Sequence, residues 1–520
     1  MAAKWLENAV FYEIYPQSFY DSNGDGIGDI PGIIQKLDYV KSLGCNAIWL
    51  NPCFDSPFKD AGYDVRDYKL VAPRYGTNRD LVSLFKKAHS MGMKVLLDLV
   101  PGHTSEEHPW FRASGSDQIN AYTSRYIWTD HPYARGDGMP FIGGEMPRPA
   151  TYIVNFFKCQ PALNYGYREI REPWQQSMDA VGPMETRDAI KDVMRYWLQR
   201  GCDGFRVDMA DSLVKNDGED KLGTMEVWRD LAGMVHEEYP EAVLVAEWGN
   251  PEQSLSCGFD MDFTLDWDCH GYAKLMRNYR VDQKTHEILS NDSYFAADSG
   301  KDITEFLADY LPGYEATKDK GLWCMITGNH DTIRAEFGLT EIERKLAFAF
   351  ILTMPGAPFI YYGDEIGMRY QLLSSKEGGY HRTGSRTPMQ WDVSKNLGFS
   401  REDHENLYLP IDHSEDAPTV AEQEEDPDSL LNFVRSLIYL RQNHPDLGNY
   451  SSFEVCHAEK GSRMFAYKRG KMIVCVNPGQ EEAQLKVEGS YRRIYTFGYA
   501  EGMGDTLHMG PQSFTVIEPV

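Results

Sequence analysis

The chain has 520 residues, a formal net charge of −26 and a hydrophobic fraction of 42%. This length allows one large domain with appendages. The negative net charge argues against nucleic acid as a partner, because no basic stripe is present to neutralise phosphates, and it suits a neutral substrate. The nine cysteines contain no Cys-x-x-Cys pair, which argues against a zinc site and against a disulfide framework. The sequence has no signal-peptide pattern and no apolar run long enough to span a membrane, so we expect a cytoplasmic protein that makes no membrane contact.

Eight apolar runs that predict buried strands alternate with amphipathic helical stretches along most of the chain. In chain order the runs are VFYEIYP, NAIWLNP, KVLLDLVP, DGFRVD, AVLVAEW, DMDFTLDW, LWCMITGNHD and APFIYYGDE. Helical periodicity marks IIQKLDYVKSL, LVSLFKKAHSMG, AIKDVMRYWLQRG and ERKLAFAFILTM between several of them. The alternation predicts an α/β fold, a (β/α)8 TIM barrel.

Two departures from a plain barrel are predicted. After the third strand, about eighty residues rich in aromatic side chains, glycine and proline are too many for an ordinary loop and predict a small inserted domain. After a polar, acidic stretch and the helix SLLNFVRSLIYLRQNH, short alternating runs predict a C-terminal antiparallel β-sheet domain. The predicted boundaries are 1–101 and 185–448 for the barrel, 102–184 for the inserted domain, and 449–520 for the C-terminal domain.

Three carboxylates, Asp208, Glu247 and Asp331, each end one of the predicted strands. The carboxyl ends of the strands of such a barrel meet at one rim, which is where these barrels hold their chemistry. Three convergent acids with a nearby arginine and two histidines suit cleavage of an acetal bond, so the residues predict a sugar-cleaving enzyme. The alternative is structural: Arg206 and Asp208 form an ion pair inside the barrel, and Glu247 is a capping residue.

The motifs DLVPGH, GFRVD, VAEW and GNHD, in that order and each at a strand end, resemble those of the α-amylase family, glycoside hydrolase family 13. AVFYEIYPQSFYDSNGDGIGD, GYDVRDY, YYGDEIGM and SRTPMQWD are similar to its oligo-1,6-glucosidase and α-glucosidase branch. The resemblance covers nearly the whole chain. It implies a retaining, exo-acting α-glucosidase that removes terminal α-1,6- or α-1,4-linked glucose from short oligosaccharides or disaccharides through a covalent glucosyl-enzyme intermediate.

The resemblance also assigns the three acids. Asp208 would be the nucleophile, Glu247 the general acid and base, and Asp331 the carboxylate that holds sugar hydroxyls. A retaining mechanism needs one ionised and one protonated carboxyl group roughly 5 Å apart. We therefore expect Arg206 to lower the pKa of Asp208, and Trp248 together with a negative Asp208 to raise the pKa of Glu247.

The same resemblance supplies substrate-binding residues. His103 and His330 match two histidines that donate hydrogen bonds to hydroxyls of the ring being cleaved. Tyr63 and Asp64 match a pair that stacks on and grips the terminal glucose, and Arg386 matches an arginine that closes the pocket beside that aspartate. A pair formed by Asp64 and Arg386 would exclude longer chains, whereas the structural alternative for Arg386 is a surface loop.

The segment DSNGDGIGD predicts a metal site, because it places oxygen ligands at alternate positions around a tight glycine turn. It resembles the first half of an EF-hand loop but has Gly32 where the closing glutamate would stand. The predicted ligands are Asp21, Asn23, Asp25, the carbonyl of Ile27, and Asp29. A structural Ca²⁺, or Mg²⁺ in its place, is expected; the alternative is a metal-free turn rich in aspartate and asparagine.

Three residues depart from the family patterns and limit the substrate prediction. Gly102 stands where relatives usually carry asparagine, which makes a second, amylase-type calcium site doubtful. Met209 after the nucleophile matches neither linkage preference, and Ala162 stands where the branch usually has aspartate.

Two other functions stay open. One is a glucosyltransferase or isomerase, such as a trehalose synthase or sucrose isomerase, because it shares the covalent intermediate. The more distant one is a non-catalytic barrel partner of a transporter; such relatives lose the acids and carry a transmembrane helix. We expect a monomer or a weak homo-oligomer.

Overall fold

The computed structural model describes residues 3–265, 270–282, 284–487, 489–503 and 505–520. At its centre lies one sheet of eight parallel strands, numbered here in chain order. The strands are β1 Phe11–Ile14, β2 Ala47–Leu50, β3 Lys94–Leu99, β4 Gly204–Val207, β5 Val243–Ala246, β6 Met261–Phe263, β7 Leu322–Cys324 and β8 Phe359–Tyr361. Each lies within one of the eight predicted runs, so the predicted barrel is confirmed. The last two residues of the sixth run, Asp266 and Trp267, lie outside the described residues.

The strands follow one another around the barrel in the order β7-β6-β5-β4-β3-β2-β1-β8. A bridge between Ile326 and Phe359 closes the ring, where the Phe359 N–H donates to the carbonyl of Met325 at 3.0 Å. In this register Arg206 on β4 lies opposite Asp98 on β3. All eight carboxyl ends therefore meet at one rim.

Helices surround the barrel, and the predicted ones are among them. The α-helices are α1 Pro16–Phe19, α2 Ile30–Leu43, α3 Asn78–Ser90, α4 Pro109–Ser114, α5 Val181–Leu198, α6 Leu222–Glu238, α7 Pro251–Ser254, α8 His270–Met276, α9 Thr304–Thr317, α10 Glu341–Thr353, α11 Val420–Glu425 and α12 Leu430–Asn443. Thr77 and Thr340 start α3 and α10 with capping boxes. Within the described ranges, no helix is both long and apolar enough to cross a membrane.

The segment between β3 and α5 is mostly irregular and packs around aromatic side chains. It contains α4 and a hairpin of two short strands, Phe141–Gly143 and Thr151–Ile153. Phe111 stacks on Trp128 with 5.7 Å between ring centroids. A backbone bridge between His103 and Ala162 ties the start of this segment to its later part at the barrel rim. The predicted domain boundaries stay a prediction.

The C-terminal part is an antiparallel β structure, which confirms the predicted fold class. Its strands are β9 Phe453–Ala458, β10 Phe465–Arg469, β11 Met472–Asn477, β12 Ala483–Lys486, β13 Tyr491–Phe497, β14 Ala500–Met503, β15 Thr506–Met509 and β16 Ser513–Pro519. They form a sheet in the order β9-β10-β11-β16-β13 and a second sheet in the order β12-β15-β14. Two further hairpins pair Phe54–Asp55 with Asp67–Val71 and Tyr279–Val281 with Ile288–Asn291.

Two buried arginines bind backbone carbonyls at the end of α10, and one of them, Arg469, lies on a strand of the C-terminal sheet. Arg441 on α12 donates to the carbonyls of Leu352 at 2.7 Å and Met354 at 2.9 Å, near the end of α10. Arg469 on β10 donates to the carbonyls of Thr353 and Gly448. The last carbonyls of a helix lack partners within it, so these two cations satisfy the end of α10, and Arg469 joins the C-terminal sheet to it.

Candidate active site

A cavity of about 840 Å³ opens at the rim formed by the carboxyl ends of the barrel strands. Its lining residues are Asp60, Tyr63, His103, Phe156, Phe157, Asp208, Met209, Asp211, Glu247, Trp248, Asp331, Tyr380, His381 and Arg382. All three predicted acids are therefore in one cavity, together with Tyr63 and His103. The remaining residues predicted to bind substrate lie behind this lining or beside it; they are Asp64, Arg206, His330 and Arg386.

The barrel backbone fixes the two acids that follow β4 and β5. The Asp208 N–H donates to the carbonyl of Leu99 at 2.8 Å, and the Glu247 N–H donates to the carbonyl of Val207 at 3.0 Å. These bonds continue the parallel pairing past the ends of the strands. Both side chains are less than a tenth exposed, so each meets solvent only through the cavity.

Arg206 connects the two carboxylates. Its Nη1 lies 3.2 Å from Oδ1 of Asp208, and its Nη2 lies 2.8 Å from Oε1 of Glu247. Nη1 also lies 2.8 Å from Oδ1 of Asp98, a residue that the sequence analysis missed although it opens the motif DLVPGH. One buried guanidinium thus sets the positions of three carboxyl groups.

The electrostatics of Asp208 differ from the prediction. Burial and the neighbouring Glu247 raise the pKa of Asp208 well above its usual value, and Arg206 opposes them without reversing the direction. Arg206 does lower the pKa of Asp208, as expected, but burial and the negative charge around the site outweigh this effect, so that the expected net lowering is not found. Burial also raises the pKa of Glu247, again against Arg206. Both carboxyl groups are therefore easier to protonate than in water, and their closeness links the two titrations.

Asp331 is the permanently ionised acid of the cavity. Its Oδ1 accepts hydrogen bonds from Nη1 of Arg382 at 2.8 Å and Nη2 of Arg386 at 2.9 Å. Burial would raise the pKa of Asp331, but the guanidinium groups of Arg382 and Arg386 outweigh it and hold the pKa far below its usual range. Asp331 is therefore a hydrogen-bond acceptor at any working pH.

The two predicted histidines occupy different depths. His103 lines the cavity; its Nδ1 lies 3.2 Å from Nδ2 of Asn155, and its buried Nε2 has no hydrogen-bond partner among the described residues. Burial lowers the pKa of His103 to about 3, so the ring is neutral and Nε2 is free for a ligand. His330 lies behind Tyr63, with Nε2 2.7 Å from the Tyr63 hydroxyl.

The predicted pair of Asp64 and Arg386 is not formed. The Asp64 carboxylate faces away from the cavity and accepts hydrogen bonds from Ser56 Oγ and from the N–H groups of Lys59 and Asp60, each at 3.0 Å. Arg386 instead contacts Asp331. The prediction failed because aspartates stand on both sides of Tyr63, and the loop conformation decides which one faces inward.

Asp60 and Arg382 take the place of the predicted pair. Both line the cavity, and Nη2 of Arg382 lies 3.9 Å from Oδ1 of Asp60. Burial raises the pKa of Asp60 to about 6, although Gln160 and Arg382 oppose the shift. The sequence signal was available: Asp60 stands three residues before Tyr63, and Arg382 four residues before Arg386.

The glycine at position 102, where relatives usually carry asparagine, has a local explanation. A Cβ atom there would lie 2.8 Å from Nδ2 of Asn155, so the side-chain amide from the inserted segment occupies the space. The Oδ1 of that asparagine accepts from Nζ of Lys215 at 2.9 Å. An amide and a buried lysine thus steady the loop that carries His103.

Met209, the other departure, has a left-handed backbone with φ of 42°. Its N–H donates to Oε2 of Glu247 at 2.9 Å. Methionine in this conformation costs roughly 1 kcal/mol or more, and the strain is located where the backbone orients the predicted acid. Its side chain lines the cavity.

The predicted metal loop lies away from the cavity, where Asp21 N–H donates to the carbonyl of Phe399 at 3.0 Å. Its carboxylates accept from nearby N–H groups, as in Gly26 N–H to Asp21 Oδ2 at 2.8 Å and Ile27 N–H to Asp25 Oδ1 at 3.0 Å. Asp29 caps α2. Across the described ranges, no three acidic, histidine or cysteine side chains are grouped to hold a metal. The donors remain hard oxygens of the type that Ca²⁺ prefers.

Comparison with known proteins decides the family. Residues 13–449 match the family description "Alpha amylase, catalytic domain". The chain belongs to the α-amylase family. This membership confirms the resemblance that the strand-end motifs indicated.

Individual members of the α-amylase family differ in their described activities. The chain is 31% identical to the trehalose synthase/amylase TreS of Mycobacterium tuberculosis, over 96% of this chain and 86% of that protein. It is also 31% identical to the oligo-1,6-glucosidase of Heyndrickxia coagulans, over 85% of this chain and 86% of that protein. The trehalulose synthase MutB from Pseudomonas mesoacidophila MX-45 shares the fold, with a TM-score of 0.82, 24% identity and full coverage of both chains.

The geometry around Tyr63 predicts that two aspartates four residues apart act differently. Asp60→Asn removes a charged acceptor from the cavity wall and should lower kcat/KM by about 10- to 100-fold, mostly through KM, with little change in stability. Asp64→Ala serves as the matched comparison. It leaves two buried donors, Ser56 Oγ and the Asp60 N–H, without an acceptor and should lower the free energy of unfolding by about 2 kcal/mol. Steady-state kinetics and urea unfolding measure both; an unchanged KM in Asp60→Asn contradicts the assignment.

Proposed function

We propose that the protein is a retaining, exo-acting α-glucosidase that hydrolyses terminal α-linked glucose from short oligosaccharides or disaccharides through a covalent glucosyl-enzyme intermediate. One observation carries the proposal: Asp208 and Glu247 line the same cavity and both contact Arg206. Two neighbouring carboxyl groups, one ionised and one protonated, are the nucleophile and the acid that this chemistry requires.

The proposed reaction has two balanced steps. Ionised Asp208 attacks the anomeric carbon while Glu247 protonates the glycosidic oxygen, so that the C–O bond breaks and the leaving sugar departs as an alcohol. Glu247, now ionised, takes a proton from water, and the oxygen of this water displaces Asp208 and restores both carboxyl groups. Asp331 accepts hydrogen bonds from hydroxyls of the bound glucose, and His103 presents Nε2 to another hydroxyl.

The exo action rests on the wall beside the acids. Asp60 and Arg382 face each other across 3.9 Å at the cavity lining, and Arg382 is also bound to Asp331. A sugar ring held by Asp331 therefore meets this ion pair at its non-reducing side, where a further sugar unit would have to pass. This favours removal of one terminal unit over internal cleavage.

A second candidate, glucosyl transfer or isomerisation, is favoured by the cavity mouth. Phe156 is 49% exposed and Tyr380 is 60% exposed, and both line the cavity together with Phe157. Aromatic faces of this kind stack on sugar rings and would retain the released sugar as an acceptor in place of water. The similarity to a trehalose synthase/amylase supports the same alternative. The three acids argue against a non-catalytic partner role.

Product analysis separates the two candidates. The purified protein is incubated with maltose, isomaltose, sucrose and trehalose separately, and the products are identified by chromatography. Hydrolysis predicts equimolar free monosaccharides from at least one of them, whereas isomerisation predicts a new disaccharide.

Asp208→Ala should reduce turnover by 10⁴-fold or more with an unchanged free energy of unfolding, since the covalent step is lost. Activity near that of the wild type would refute the nucleophile assignment.

The pH dependence tests Glu247. Its raised pKa predicts a descending limb at high pH in wild-type kcat/KM, because the required proton is lost as pH rises through the folded-state pKa. Glu247→Gln should lose about 10²- to 10⁴-fold on a disaccharide. With α-glucosyl fluoride, whose leaving group needs no proton, this variant should form the glycosyl-enzyme in a single turnover with no high-pH limb. A retained limb means that another group supplies the proton.

We propose a structural Ca²⁺, or Mg²⁺, at the loop formed by Asp21, Asn23, Asp25, Ile27 and Asp29. These residues would hold the ion through oxygen atoms, and the ion would neutralise the acidic loop that contacts the 399–408 segment. Chelation by EDTA should lower Tm by several degrees, because a ligand of the folded state stabilises it by mass action. Asp21→Ala should abolish the response to EDTA, whereas Asp38→Ala, at an exposed position on α2, should keep it. An EDTA-insensitive wild type contradicts the proposal.

The cytoplasmic location and the monomeric or weakly oligomeric state stay predictions. A small oligosaccharide or disaccharide as substrate belongs to the proposed function, and the acidic charge of the chain supports it over a polyanion.

A further inference from the structure

We propose that Glu13 is a positioning residue that acts as a neutral hydrogen-bond donor to His330 and thereby fixes the proton of that ring on Nε2, the nitrogen that faces Asp331 and the sugar-binding side. The role concerns the site of the proposed function and rests on it. Glu13 lies on β1, inside the barrel, and no part of its side chain is exposed.

The contacts around Glu13 fit a neutral acid better than an anion. Its Oε1 lies 2.9 Å from Nδ1 of His330 and accepts from Nδ2 of Asn51 at 3.0 Å. Its Oε2 is buried and has no hydrogen-bond partner among the described residues. An ionised carboxylate with one oxygen unsatisfied in an apolar interior carries a large desolvation penalty, and burial accordingly raises the pKa of Glu13 well above its usual value.

The contacts around His330 assign the ring tautomer. Nδ1 has two possible donors beside it, the acid of Glu13 and the amide of Asn51, the latter at 3.1 Å. Nε2 lies 3.4 Å from Oδ2 of Asp331, which is an ionised acceptor. A proton on Nε2 therefore meets an anion, whereas a bare Nδ1 meets two donors. Burial lowers the pKa of His330 far below its usual value, so the ring is neutral.

With this assignment, donors and acceptors alternate along one buried chain. The Glu13 O–H donates to Nδ1, and the Nε2–H donates to the Tyr63 hydroxyl at 2.7 Å. The Tyr63 hydroxyl donates to Oδ2 of Asp98 at 3.1 Å. Asp98 then accepts from Arg206, the cation shared by the two reacting carboxyl groups. The opposite tautomer would require the Tyr63 hydroxyl to donate to Nε2 and not to Asp98, and it would leave the Nε2 lone pair 3.4 Å from the Asp331 anion.

The functional consequence is a fixed donor beside Asp331. The Nε2–H holds the hydroxyl of Tyr63, a residue that lines the cavity, beside the Asp331 carboxylate that accepts from sugar hydroxyls. Without Glu13 the ring loses its strongest partner at Nδ1 and can exchange its proton between the two nitrogens. Glu13 would thus influence turnover although it does not line the cavity.

Nitrogen NMR on protein carrying ¹⁵N-labelled histidine tests the assignment. The His330 signals, identified by their loss in His330→Asn, should show a bare Nδ1 and a protonated Nε2 in the wild type. Glu13→Met should shift both signals toward exchange between tautomers and lower kcat/KM by about tenfold or more. Glu13→Gln, whose amide can donate to Nδ1 as the acid does, should restore the wild-type tautomer and most of the lost activity.

Two controls separate positioning from packing. Glu365 is also fully buried and accepts hydroxyl bonds from Tyr12 and Tyr39, so Glu365→Met matches Glu13→Met in the loss of a buried acid and should leave the His330 signals unchanged. In a His330→Asn background, Glu13→Met should cause little further loss of kcat/KM. A protonated Nδ1 in the wild type, or Glu13→Gln as impaired as Glu13→Met, would overturn the proposal. The NMR measurement needs no turnover, so a protein inactive on every sugar would refute the proposed function alone.

Discussion

The arrangement of the site depends on one buried cation. Arg206 is 1% exposed and lies within hydrogen-bond distance of Asp98, Asp208 and Glu247. An unpaired guanidinium at this depth would be unstable, and so would three carboxyl groups without it. The parallel register of β3, β4 and β5 places these groups around one point, so the barrel pairing and the electrostatics of the site support each other. Because the site is buried and its negative charges outnumber the cation, the pKa values of the two carboxyl groups that face the cavity are raised.

Sequence patterns predicted the barrel and its three acids because both follow from the alternation of buried strands and helices. A carboxylate that ends an apolar run has its location fixed by the strand before it, as for Asp208 and Glu247. Asp98 and Glu13 were missed for a related reason. Each lies inside an otherwise apolar strand, and only the neighbouring strands show that its partners are Arg206 and His330.

The loop residues could not be assigned from the sequence. Asp60 and Asp64 stand three residues before and one residue after Tyr63, and either fits a sugar-binding role on spacing alone. The choice is made by Gly62, which has φ of 100°, and by Ser56, whose hydroxyl holds Asp64 in the turn. Arg382 and Arg386 pose the same problem, since both reach Asp331 and only Arg382 continues to the cavity lining. Such choices depend on contacts between segments distant in sequence.

The closure of the barrel also has a consequence for motion. Within the described ranges, β7 and β8 are joined by the single bridge between Ile326 and Phe359, whereas β3 and β4 pair at three positions. Opening free energies vary across a structure with the local number of protecting bonds. The junction of β7 and β8, next to Asp331, is therefore the place where the ring of strands separates most easily. Its amide hydrogens should exchange with solvent before those of β3 and β4, which lie beneath Asp208. Asp208 lies on the rigid side of the barrel, and Asp331 lies on the side that can yield.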